Sequence, residues 1–66
     1  MTITVNGELR EISCAQNVRE LLDELNLPPH ALLVEQNGIA LRRDEWDAAD
    51  LRAADRLEII RIVAGG

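Results

Sequence analysis

Leu57-Glu58-Ile59-Ile60-Arg61-Ile62-Val63-Ala64-Gly65-Gly66 closes the chain, and its reading decides the fold. The apolar residues Leu57, Ile59, Ile60, Ile62 and Val63 are nearly continuous. A strand with one wet face alternates apolar and polar positions, whereas a near-continuous apolar strand is expected to be covered on both sides, in the middle of a sheet. Directly behind it stand two residues without Cβ atoms, Gly65 and Gly66. Such a pair can lie extended in a channel too narrow for any other side chain. At roughly 7% glycine usage, a chance Gly-Gly ending occurs in about 0.5% of chains, so its meaning depends on what stands behind it.

Working outward, Ile3 and Val5 alternate with Thr2 and Thr4, the pattern of a half-buried strand. Asn6-Gly7 follows, a dipeptide suited to positive φ at both central positions of a hairpin turn, and Glu8–Ile12 is expected to return. Asn17, with Glu20 three residues on, predicts a helix N-cap and capping box. Val18, Leu21, Leu22 and Leu25 form one apolar helical stripe, opposite Arg19, Glu20, Asp23 and Glu24. Pro28-Pro29 forces the helix to end near Asn26. Leu32–Gln36 reads as a strand, Asn37-Gly38 as a second turn and Ile39–Leu41 as a short partner. Asp44 is expected to cap a brief helical turn through Trp46, and Ala53–Asp55 reads as a weak turn.

One helix must cover one face of one sheet. Parallel pairing of the first and last strands around that helix gives a ubiquitin-like β-grasp. The expected class is therefore α+β, a mixed sheet of four to five strands with one main helix packed on one face. A different small α+β meander is the alternative. The expected organisation is one domain over residues 1–63 and a flexible Ala64-Gly65-Gly66 tail.

Charge and composition narrow the function. Twelve acids against seven bases give a net charge of −5, which disfavours nucleic acid and anionic membrane and favours a protein partner with a basic face. All the bases are arginine, so no side chain can accept an isopeptide bond from another copy and self-linked chains are excluded. Cys14 is the only cysteine, which rules out an internal disulfide and suits a reducing cytosol. With no basic-then-apolar leader at Thr2–Val5 and no apolar window of membrane-spanning length, a cytoplasmic location is expected.

The chemically capable side chains are few. His30, the only histidine, follows two prolines and has neither a second histidine nor a neighbouring cysteine to complete a metal site. Cys14 lies shortly before the helix, separated by all of it from the only possible base. Trp46, the only aromatic residue, suits a core better than an interface. The carboxylates Asp44, Glu45, Asp47, Asp50 and Asp55 lack the spacing and central glycine of a calcium loop. Gly7, Gly38, Gly65 and Gly66 are too scattered to cradle phosphate. No catalytic residue, metal site or bound cofactor is expected, so the chain would be a substrate for other proteins rather than an enzyme. What remains is the Gly66 carboxylate. Ionised at neutral pH, it is a poor acyl donor until adenylation supplies AMP as a leaving group. Attack by sulfur would then give a thiocarboxylate.

Over essentially its whole length the chain resembles the ThiS family, the sulfur carriers of thiamine biosynthesis. The resemblance rests on Asn6, on Val18-Arg19-Glu20-Leu21-Leu22 and Leu25, and on Asn37-Gly38 followed by Arg43 and Trp46. Asp55 at the start of the last strand and the ending Val63-Ala64-Gly65-Gly66 complete it. Ala54 stands where the family commonly has glycine, and Arg42 where proline is frequent. The resemblance implies adenylation of Gly66 by a ThiF-like activating enzyme that uses ATP and magnesium. It further implies sulfur from a cysteine desulfurase and delivery to the thiazole synthase ThiG, with Ala64, Gly65 and Gly66 threading into partner active sites. The alternatives are a carrier for molybdopterin synthesis, whose small subunit is typically longer and richer in phenylalanine, and a ubiquitin-like modifier that carries no sulfur.

Overall fold

The computed structural model describes residues 1–62. Its strands are β1 (Thr2–Val5), β2 (Glu8–Glu11), β3 (Leu32–Gln36), β4 (Ile39–Leu41) and β5 (Arg56–Arg61). The helix α1 (Val18–Glu24) lies between β2 and β3, and a 3-10 helix (Arg43–Ala48) lies between β4 and β5. The five strands form one mixed sheet in the order β2-β1-β5-β3-β4. β1 and β5 run parallel, with Thr4 beside Arg56 and Val5 beside Leu57, and the other pairs are antiparallel. The first and last strands thus pair side by side in the centre, with a helical crossover between them. This is the β-grasp arrangement expected from the element order. Among the described residues no helix is long and apolar enough to cross a membrane.

Both hairpins turn as their sequences require. Asn6 and Gly7 have φ of 50° and 82°, and Asn37 and Gly38 have 52° and 83°, the doubly positive pattern of a type I′ turn. At the start of α1, the Asn17 side chain accepts from the Glu20 amide at 2.8 Å. The expected capping box is only half formed: the Glu20 carboxylate reaches one residue further back and accepts from the Gln16 amide at 2.8 Å. α1 ends at Glu24 with Leu25 as its cap, and Asn26 (φ 59°) takes the left-handed turn ahead of the prolines.

Three expectations need correction. The return strand is bounded at Glu11 rather than Ile12, although Ile12 still exchanges backbone hydrogen bonds with Met1 at 2.8 and 3.1 Å while its side chain enters the core. Asp44 does not cap the short helix. Arg42 holds the cap position, and its amide donates to the Glu45 carboxylate at 2.7 Å, which places Asp44 inside the first turn. Most consequentially, β5 is central but not covered on both sides. Leu57 and Ile59 are buried beneath α1, whereas Ile60 and Ile62 are 54% and 47% exposed. A single helix covers a single face, so the apolar residues of opposite parity are left in water. Val63 lies outside the described residues.

The core joins Ile3, Val18, Leu21, Leu22, Val34, Trp46 and Leu57, all essentially without solvent contact. Trp46 enters it from the 3-10 helix, which packs against α1.

The turn before β5 forms despite its sequence. Ala54 adopts φ 70°, its amide donates to Thr2 O at 2.9 Å, and the Asp55 amide closes on Arg52 O at 3.1 Å. A Cβ in the left-handed region costs about 1–2 kcal/mol. Ala54→Gly removes that strain but makes the unfolded chain more flexible, an offset of about 0.4–1 kcal/mol. A net gain of about 0.5–1 kcal/mol is expected, measured as a higher urea midpoint at unchanged slope. A lower midpoint would show that the strain here is negligible.

Candidate functional site

The strand that leads to the tail is tied down along its length. At its start, the side chains of half-buried Gln36 and exposed Asn37 donate to the buried Asp55 carboxylate at 3.1 and 3.0 Å, and the Arg52 amide donates at 2.9 Å. Burial of Asp55 would raise its pKa. The hydrogen bonds from Asn37, Arg52 and Gln36, with the Arg52 charge, outweigh this and hold the carboxyl below its ordinary value. The Asn37 side chain also accepts from the Arg56 amide at 2.9 Å. Midway, the Asn6 side chain substitutes for a strand. Its amide nitrogen donates to Ile59 O at 3.0 Å, and its oxygen accepts from the Ile59 amide at 2.8 Å. At the far end the Ile62 amide donates to Ala31 O at 2.7 Å. β5 is therefore a fixed stem. The expected working residues Ala64, Gly65 and Gly66 lie outside the described residues.

On the open face of the sheet, Ile60 sits directly across from Leu33, both 54% exposed, and Ile62 continues the row toward the tail. Contiguous exposed apolar side chains of this kind make this face a candidate contact surface. Leu33 escaped the sequence reading, although a signal was present: Leu32-Leu33-Val34 and Ile59-Ile60 are consecutive apolar residues. In a sheet with one covering helix, one of each set must face solvent.

The other candidates fall away from this stem. Cys14 is exposed in the loop before α1. Its amide and those of Ser13 and Ala15 donate to the Glu24 carboxylate at 2.9–3.1 Å. These bonds bring the Glu24 pKa down to about 2, so the carboxylate acts as a clamp between the loop and the end of α1. His30 is exposed beyond the prolines. Trp46 is in the core, with the Arg43 guanidinium 5.7 Å from its ring centre. Arg43 also donates to Pro29 O at 2.8 Å. Residues three apart stack on a 3-10 helix, which brings Arg43 over the Trp46 ring. Asn6, Asn37, Arg43, Trp46 and Asp55, which carry much of the resemblance, thus all hold the head together.

The family model of the ThiS family matches residues 3–66. The chain belongs to the ThiS family. It is 35% identical to the thiamine biosynthesis protein ThiS of Geobacter metallireducens, whose crystal structure matches it with a TM-score of 0.84 over 100% of both chains. The solution structure of a thiamine biosynthesis protein from the same organism matches with a TM-score of 0.81, at 35% identity, over 100% of this chain and 88% of that one. Among curated proteins, a thiazole synthase of Paramagnetospirillum magneticum is 30% identical over 66 residues. All of this chain is covered by that match but only 20% of the synthase, so the ThiS-like chain spans about a fifth of that relative's length.

Proposed function

We propose that this chain is a sulfur carrier for thiamine synthesis and that the Gly66 carboxyl group does its work. The observation that carries this is the family match running through residue 66, behind a central strand fixed by Asn6, Asn37 and Asp55. The names of its relatives, a thiamine biosynthesis protein and a thiazole synthase, support the pathway.

In the proposed sequence a carboxylate oxygen of Gly66 attacks the α-phosphorus of ATP on a ThiF-like activating enzyme, with magnesium, and pyrophosphate leaves. A persulfide charged by a cysteine desulfurase then attacks the carbonyl carbon and displaces AMP. A second thiol attacks the sulfur of the persulfide's carrier cysteine, which breaks the S–S bond, leaves a disulfide behind and frees the thiocarboxylate. The resulting thiocarboxylate gives its sulfur to the thiazole synthase ThiG in the cytoplasm. The chain contributes no catalytic side chain to these steps. It contributes a rigid head, the exposed Leu33, Ile60 and Ile62 for a partner to grip, and the Ala64-Gly65-Gly66 stem to thread.

Incubation with the activating enzyme, ATP, magnesium and the desulfurase system should raise the intact mass by the difference between one sulfur and one oxygen. Fragmentation should place the change on Gly66. An unchanged mass beside a positive control with active enzymes would end the carrier reading.

A further inference from the structure

On the helix side of the sheet, opposite the Leu33–Ile60 face, a groove of about 400 Å³ opens where β5 outruns β1. Its floor is apolar, made by Val5, Leu25, Leu27, Leu32 and Ile59. Arg10 and Arg61 stand on its walls. Their placement follows from strand parity: Arg10 is across from buried Ile3, and Arg61 is across from buried Leu32. Among the described residues neither guanidinium takes part in an ion pair. In a chain of net charge −5, two uncompensated cations over one apolar groove are a local reversal of sign.

The same place is a break in the sheet. β1 pairs with β5 only as far as Val5 beside Leu57, and the Asn6 side chain then serves Ile59. The Ile62 amide bonds toward β3. Alternation along an antiparallel ladder therefore points the backbone of Ile59 and Arg61 to the opposite side. Asn6 satisfies Ile59, and β1 has no residue left to lie beside Arg61. Among the described residues no strand pairs with the Arg61 backbone on that side, and an open edge position, an apolar pocket for an alternate side chain and adjacent positive charge are what an added strand requires.

We propose that this groove receives an extended segment of the thiazole synthase, pairing with β5 at Arg61. One large apolar side chain of that segment enters the groove, and a neighbouring carboxylate meets Arg10 and Arg61. The inference rests on the thiamine reading above and adds to it a second contact surface, on the opposite face of the sheet from Leu33 and Ile60. Charge complementarity selects an acidic segment, and burial beside the apolar floor strengthens the ion pairs.

The test uses the full chain and the purified synthase of the same organism. Binding is measured by titration calorimetry, and amide exchange is followed by NMR in the free and bound chain. The Arg10→Glu Arg61→Glu variant should fold as the wild type does, since both side chains are exposed, and should bind at least about tenfold more weakly. Arg10→Lys Arg61→Lys should keep most of the affinity. Binding should also slow exchange of the Arg61 amide. A charge-reversed variant that binds as the wild type does, or an Arg61 amide unchanged in the complex, overturns the inference while leaving the carrier reading in place. A wild-type chain that fails to bind the active synthase overturns both.

Discussion

A chain lengthened by one alanine after Gly66 should fold normally and lose activation by at least about 100-fold. The carboxylate is the nucleophile toward ATP in the proposed mechanism, and an added residue converts it into a peptide amide with no free oxygen anion. The new terminal carboxylate lies one residue further out, about 3.3–3.6 Å along an extended chain. A displacement of even 1 Å at a reacting centre can cost about 100-fold. Its methyl group must also enter a channel that Gly65 and Gly66 leave unobstructed. Pyrophosphate release by the activating enzyme checks this, with circular dichroism and thermal unfolding run in parallel. Adenylation at the wild-type rate would mean that the enzyme does not read the end of the chain. The proposed role of Gly66 would then be wrong.

Asp55→Asn should lower stability by about 2–3 kcal/mol. The carboxylate draws together three donors, from Gln36, Asn37 and Arg52, at the point where β5 begins. An asparagine offers one oxygen and turns an NH2 group toward donors. At least one of them is left without an acceptor inside a nearly buried site, and a hydrogen bond to a charged group is worth about 1.5–3 kcal/mol. A domain of this size has a total stability on the order of 5 kcal/mol, so the loss is a large part of the whole. It should appear as a lower urea midpoint at neutral pH.

The pH dependence has a definite sign. The folded carboxyl has a pKa below its unfolded value of 3.8, so the unfolded chain binds the proton more readily. The stabilisation is fully present above that unfolded value and is lost as pH falls through the lower folded one. The gap between wild type and Asp55→Asn should therefore narrow as pH drops below 3.8. The Glu24 clamp, with its pKa near 2, remains in both proteins and gives both a common acid sensitivity. A gap that stays constant in acid would show that Asp55 acts through shape rather than charge.

Much of the architecture was legible in local chemistry. Asn6-Gly7 and Asn37-Gly38 fix both hairpins because few residue pairs accept two positive φ values in succession. The Val18, Leu21 and Leu22 stripe fixes which side of α1 is buried. The largest error has a simple origin. Apolar runs such as Ile59-Ile60 and Leu32-Leu33-Val34 report hydrophobicity without reporting face, so β5 reads as doubly covered when one of its faces is wet. Side chains that act at long range were also invisible. Asn6 bonds to Ile59, 53 residues away, yet in sequence it is only a turn residue. Glu24 reads as part of a solvated helical face, yet it clamps the loop from Ser13 to Ala15.

The proposal that the chemistry lies at the carboxyl end comes from the sequence, which has no lysine, one histidine, one cysteine and scattered glycines. The sequence also determined the elements and their order through turn and helix periodicities, which are local. Only the tertiary structure decided which apolar residues remain in solvent and where two arginines distant in sequence come to share one groove. Those outcomes depend on strand pairing. Register assigns each residue to one face of the sheet and one set of neighbours, and no local stretch of sequence contains that assignment.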